Sequence, residues 1–178
     1  MKYAFDKNIL VIPGIEILTK SGDVLGINVK KVIPDGLSAK TTIGEIKKQG
    51  GFAIIPHPFW PSAATKYKRE MFLLADGIEI FNADLFKFIN KKAIKFSKKY
   101  GLPFTAGSDA HKAKFVGRGY LEIPRNNLSE KEVLKEVQNK NGEIKGEPLN
   151  FWERIENSLR MDPAKLINYY YELYSKKR

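Results

Sequence analysis

Short unbroken apolar runs alternate along this chain with longer stretches whose apolar residues fall three and four apart, a switching that predicts strands interleaved with helices. Ile9 to Ile12 reads as a continuous apolar strand of a sheet covered on both faces. After Pro13-Gly14, Ile15-Glu16-Ile17 resumes strand patterning, and Ser21-Gly22-Asp23 marks a turn before Val24 to Val29, so the two runs are expected to form a hairpin. Ser38 or Thr41 caps a helix that turns Ile43 and Ile46 toward the sheet and stops at Gly50-Gly51. Phe52 to Pro56 is the next strand, ending on His57 between two prolines, with Phe59, Trp60 and Pro61 as an apolar rim.

A short helix around Lys66 to Leu74 leads to a strand over Gly77 to Phe81, ending at Asn82. Leu85, Ile89, Ala93, Phe96 and Tyr100 then recur at helical spacing, with Lys87, Lys91, Lys95 and Lys98 on the opposite side. Leu102 to Ala106 is a buried strand closed by Gly107, and it delivers Asp109 and His111. Gly119 to Ile123 is a further strand, and Ser129 with Glu132 forms a capping box for a helix ending near Asn141-Gly142. The tail predicts helices over 151–160 and 164–176, with Tyr169, Tyr170, Tyr171 and Tyr174 as packing residues. Met1 to Asp6 reads as the end of a helix, as if the chain began in mid-unit. This order implies an α/β fold with a largely parallel sheet, open or barrel-like.

Composition narrows the chemistry. A chain of 178 residues with 43% hydrophobic content suits a single domain, 1–178. The motif-bearing core is expected in 1–125 and a helical part in 126–178. There is no cysteine, which excludes disulfides and thiol catalysis and leaves His, Asp, Glu and backbone oxygen as metal donors. No apolar run approaches the roughly 20 residues of a membrane span, so a cytoplasmic protein is expected. Lys and Arg total 31 against 20 acidic residues, a net charge of +11 that favours phosphorylated metabolites, nucleotides or nucleic acid as partners. A Lys-rich, Ile-rich composition fits heat adaptation equally well.

In α/β folds functional residues gather at the C-terminal ends of strands, and Glu16, His57, Asn82, Asp109 and His111 all fall at or near such ends. Singly, each has a plainer reading: a surface carboxylate, a core imidazole, a helix cap. Jointly, two carboxylates and two imidazoles make a mixed oxygen and nitrogen set suited to Zn, Mn or Fe. Lys112, Lys114 and Arg118 follow these residues and are either phosphate donors or an ordinary solvated loop.

Pro-Gly-Ile-Glu-Ile at 13–17, Gly-Gly-Phe-Ala-Ile-Ile-Pro-His-Pro at 50–58, Asp-Gly-Ile-Glu-Ile-Phe-Asn at 76–82 and Gly-Ser-Asp-Ala-His at 107–111, with Gly117, resemble the PHP (polymerase and histidinol phosphatase) family. The resemblance covers about residues 1–125 and implies a metal-dependent phosphoesterase on a distorted, TIM-like β/α barrel. It also implies that Glu16 matches a metal-bridging carboxylate, His57 the His-Pro ligand, and Asp109 and His111 the ligands of the last motif.

The family's opening His-x-His and Asp-His motifs are absent, and only two histidines exist in the chain, so the barrel is expected to be incomplete at its N-terminus. Asp23 stands where a further family histidine is expected. The resemblance therefore implies a phosphoesterase acting on a phosphate ester or nucleotide, with hydrolysis impaired by the missing ligands. The alternative is a non-catalytic phosphate- or nucleic-acid-binding protein on a degenerate barrel. An unpartnered Ile9 to Ile12 strand further suggests a homodimer.

Overall fold

The computed structural model describes residues 9–60 and 69–159. Period-2 patterning forms β1 (Gly14–Thr19), which buries Ile17 and exposes Glu16 and Leu18, and a tight turn joins it to β2 (Gly22–Ile27). The hairpin is antiparallel, with Glu16 opposite Leu25 and Leu18 opposite Asp23. Ser38 caps α1 (Ala39–Lys48) by accepting the Thr41 backbone N–H at 3.1 Å. Ala39, Thr42, Ile43 and Ile46 form its buried stripe. The chain continues through β3 (Phe52–Ile55), α2 (Arg69–Leu74), β4 (Gly77–Asn82), α3 (Lys87–Tyr100) and β5 (Phe104–Gly107). A 3₁₀ turn at Ala113–Phe115 precedes β6 (Gly119–Glu122), α4 (Glu130–Gln138), β7 (Glu143–Gly146) and α5 (Phe151–Ser158).

The main sheet has the order β1-β2-β3-β4-β5, and β6 with β7 makes a separate antiparallel ribbon. On one face, Ile17, Val24, Ile55, Ile78 and Ile80 pack against Ile43 and Ile46 of α1, Phe72 of α2 and Ala93 of α3. Burial of each large aliphatic residue there contributes about 1.5–3 kcal/mol. On the other face, Phe52 and Ile54 meet Val137 of α4, with Leu121 of β6 and Leu134 of α4 packed beside them. β1, β3, β4 and β5 all point the same way, so their C-terminal ends and the β1–β2 turn share one rim of the sheet.

Four expectations are corrected. Ile9 to Ile12 is not a strand: Ile9, Leu10 and Val11 are exposed, and the sheet begins after Pro13. Part of the outer edge of β1 is instead met by a loop, with the Leu18 N–H donating to Asp35 at 2.9 Å and the Gly36 N–H to the Leu18 carbonyl at 2.8 Å. The sheet is mixed, being parallel only across β3, β4 and β5. Among the described residues it does not close into a barrel, because α4 and the β6–β7 ribbon cover the face that a barrel would turn inward. Strand β7 lies within the stretch expected to be helical; Gly146, at φ +107°, permits it, since a Cβ there would strike the Arg118 carbonyl. The Ser129–Glu132 capping box is present, and Asn139 caps the C-terminal end of α4. The expected N-terminal helix end, the start of the 66–74 helix and the 164–176 helix with its tyrosines lie outside the described residues. Among the described residues no helix is long and apolar enough to cross a membrane.

Candidate metal centre

Antiparallel pairing places Glu16 and Asp23 on the face of the hairpin opposite the buried Ile17 and Val24, as diagonal neighbours across two strands. β3 then brings His57 to them from the side. Its Nε2 lies 3.5 Å from Glu16 Oε1 and 3.6 Å from Asp23 Oδ2. One donor atom from each of the three lies within 4.8 Å of the other two, the compactness that a single divalent ion requires. The three donors, one nitrogen and two oxygens, fit such an ion chemically. His57 itself sits at φ +30°, an uncommon conformation outside glycine that the surroundings must stabilise.

That support comes from Glu79 on β4. Its buried carboxylate accepts the His57 backbone N–H at 2.9 Å and the Asn82 amide at 3.0 Å. The same Asn82 amide donates to Asp109 Oδ2 at 3.1 Å. Asp109, at φ +47°, is clamped further by Asn157 of α5, which donates to the Asp109 carbonyl at 3.0 Å and accepts the His111 N–H at 2.8 Å. Gly107 belongs to this arrangement, since a Cβ there would lie 2.7 Å from Glu79 Oε1.

The site opens into a cavity of about 500 Å³ lined by Glu16, Asp23, Asp35, Asp84, Asp109 and His57, with Leu18, Trp60 and Leu85 as its apolar margin. Among the described residues no Lys or Arg lines it. Burial pushes the Asp23, Glu79 and Asp84 carboxyls above their ordinary range; His57 opposes this at Asp23, as do the Asn82 and His57 hydrogen bonds at Glu79 and Asn157 at Asp84. Burial pulls the His57 imidazole down, but the Glu16 hydrogen bond and the charges of Glu79, Asp109 and Asp23 outweigh it, so His57 titrates above its ordinary value.

Of the residues singled out in the sequence, Glu16, His57 and Asp109 share this cavity. His111 lies behind Asp109, its Nδ1 3.8 Å from Asp109 Oδ1, and does not line the cavity. Asn82 is buried, and its amide is committed to Glu79 and Asp109. Lys112 and Lys114 reach Glu156 at 3.5 and 2.6 Å, and Arg118 reaches Glu153 at 3.1 Å, so all three are tied to α5 outside the cavity. Glu79, Asp35, Asp84 and Asn157 were missed. Glu79 was within reach, as a charged residue inside the apolar run Gly-Ile-Glu-Ile-Phe, whereas nothing local marks Asn157.

Residues 89–141 match a family model described as PHP-associated. Two uncharacterized proteins of Methanocaldococcus jannaschii are similar in sequence. MJ1587 is 45% identical over 73 residues, 41% of this chain and 43% of its own length. MJ0417 is 31% identical over 147 residues, 75% of this chain and 62% of its own. The chain thus spans less than two thirds of either relative. Among solved structures, a two-domain Bacteroides vulgatus protein containing a predicted PHP-like metal-dependent phosphoesterase has a TM-score of 0.63 at 23% identity, over 82% of this chain and 47% of that one. PsfC from Pseudomonas syringae has a TM-score of 0.58 at 17% identity, over 72% and 57% respectively. Residues 89–141 are thus similar to a PHP-associated family, and the chain shares its fold with the Bacteroides vulgatus protein.

Proposed function

We propose that this protein is a divalent-metal-dependent phosphoesterase. Glu16, Asp23 and His57 would hold an ion, and Asp109 would present a further carboxylate to the same cavity. The observation that carries this reading is the cavity lining itself: five carboxylates and one imidazole, with no Lys or Arg among the described residues. An anionic phosphate ester is repelled from such a lining until a cation occupies it, so the anion-favouring net charge of +11 and the acidic cavity are reconciled by a bound metal. A divalent ion held there supplies Lewis-acid neutralisation of phosphoryl charge and acidifies water. Zn, Mn and Fe all suit the mixed donor set.

The chain's own residues do the rest. Glu79 and Asn82 hold His57 and Asp109 in their unusual backbone conformations, so the donors are in place before substrate arrives. In the metal-free protein His57 Nε2, facing two carboxylates, is placed to hold a proton, which must leave before that nitrogen can bind the ion. Leu18, Trp60 and Leu85 form the apolar margin of the cavity. Lys112, Lys114 and Arg118 would meet substrate phosphate only on release from Glu153 and Glu156.

A second reading, a phosphate or nucleic-acid binder without turnover, is favoured by the single compact three-donor cluster among the described residues, since a clamp on both attacking and leaving oxygens needs two ions. Elemental analysis, together with turnover of a chromogenic phosphate ester with added manganese, tests the proposal. Stoichiometric metal that is lost in His57→Ala and Asp109→Ala, with weak manganese-dependent hydrolysis, is expected. A wild-type protein that binds no divalent metal overturns it; bound metal without turnover supports the second reading.

A further inference from the structure

The acidic cavity does not end at Trp60 and Asp84. Those two residues also line a second cavity, of about 340 Å³, whose other walls include Phe86, Phe151 and Arg154. The last three in turn line a third hollow, of about 580 Å³, bordered by Phe88, Lys87 and Lys91. Shared walls make the three one groove, acidic at the metal centre, aromatic in the middle and basic at the far end. Among the described residues no carboxylate lines the third hollow.

Two features of the far end point to a ligand. Phe86 and Phe88 stack with centroids 5.7 Å apart and planes within 13°, yet remain 45% and 69% exposed, so a flat aromatic surface faces solvent. The Arg154 guanidinium lies 4.3 Å from the Phe86 ring centroid and donates to the Asp84 and Leu85 carbonyls, which fixes the platform to the rim of the acidic cavity. Lys87 and Lys91, one helical turn apart on α3, are exposed, and no ion pair engages either among the described residues. Exposed rings interleaved with unpaired cations are what a single strand of nucleic acid requires: stacking for its bases and counter-charge for its phosphates. A duplex, whose bases are already stacked, gains only the charge.

We infer that the groove binds single-stranded nucleic acid, bases on the Phe86–Phe88 platform and phosphates along Lys87 and Lys91, and leads a phosphodiester to the acidic cavity. Binding to the platform does not need the metal; delivery to the cavity rests on the proposed phosphoesterase. The experiment separates the two by measuring fluorescence anisotropy of a short labelled thymidine oligonucleotide, first in chelator and then with manganese.

In chelator, the wild type is expected to bind. Phe88→Ala should weaken binding about tenfold while Phe88→Tyr restores it. Lys87→Ala with Lys91→Ala should lower the slope of log affinity against log salt by about 1.4. All three substituted positions are exposed, so far-ultraviolet circular dichroism should be unchanged. Absence of wild-type binding, undiminished binding by Phe88→Ala, or equal affinity for a duplex overturns the inference, whatever the metal content. Self-association that Phe88→Ala abolishes, without oligonucleotide binding, assigns the platform to a second copy of the chain and also overturns it.

Discussion

The two walls of the acidic cavity are built on opposite principles. The β1–β2 hairpin presents Glu16 and Asp23 from an edge of the sheet, and the Glu16 side chain is 49% exposed. The β4–β5 wall is interior: Glu79, Asn82 and Asn157 are buried, with Asn82 hydrogen-bonded to Glu79 and to Asp109, Glu79 to the His57 N–H, and Asn157 to the Asp109 carbonyl. The first wall concentrates negative charge where a cation can answer it. The second fixes positions. Removing groups from the hairpin should therefore cost ligand affinity with little loss of stability, and removing groups from the interior wall should cost both.

The largest effect is expected at Asn82. Asn82→Ala leaves the buried Glu79 carboxylate short of a donor, which costs about 1–3 kcal/mol, and also frees Asp109 from its tie to β4. A loss of about 3 kcal/mol in urea unfolding, with metal uptake lost as well, is the expected result; a loss below about 0.5 kcal/mol would show that the interior wall does not depend on this amide. Asn157→Ala should follow at about 1–3 kcal/mol, because the 109–111 loop loses both of its ties to α5. In contrast, Asp23→Asn should keep unfolding stability within about 0.5 kcal/mol and still abolish metal uptake.

His57 joins the two walls, and its titration sharpens the comparison. Its pKa is raised in the folded protein despite burial, by Glu16 and by the Glu79, Asp109 and Asp23 charges. In metal-free protein this contribution to stability is fully present below the unfolded imidazole value, about 6.5, and is lost as pH rises through the folded value. Metal uptake should run the other way, improving over the same interval as the proton leaves Nε2. An NMR titration of the imidazole checks this: Glu16→Gln should lower the folded value, and a wild-type value at or below the ordinary one contradicts the assignment of charges around it. The smallest effect is expected at Lys114, whose exposed contact with Glu156 should be worth less than about 1 kcal/mol when replaced by Ala, with metal uptake unchanged.

Much of this was legible in the sequence because it is local. The hairpin, the Ser38 and Ser129 caps, the apolar stripe of α3 and the strand ends carrying His57 and Asp109 follow from patterning over a few residues. What escaped depends on pairing across the chain. Ile9 to Ile12 has the composition of a buried strand, but an apolar run becomes a strand only where a neighbour offers hydrogen bonds, and after Pro13 the sheet has already begun. β7 has too few apolar residues to stand out; its register comes from Leu121 facing Ile144. Asp23 was visible as a substitution for an expected histidine, yet only the register of the hairpin places its carboxylate beside His57 and Glu16. Lys112, Lys114 and Arg118 look free along the sequence because Glu153 and Glu156 approach from α5, more than 30 residues away.

The central claim is that Glu16, Asp23 and His57 hold a divalent ion, and calorimetric titration of manganese into chelator-stripped protein tests it most directly. The account predicts saturable binding by the wild type, its loss in Asp23→Asn and in His57→Ala, and its persistence in Lys114→Ala. Unaltered stoichiometry and affinity in both Asp23→Asn and His57→Ala would contradict it.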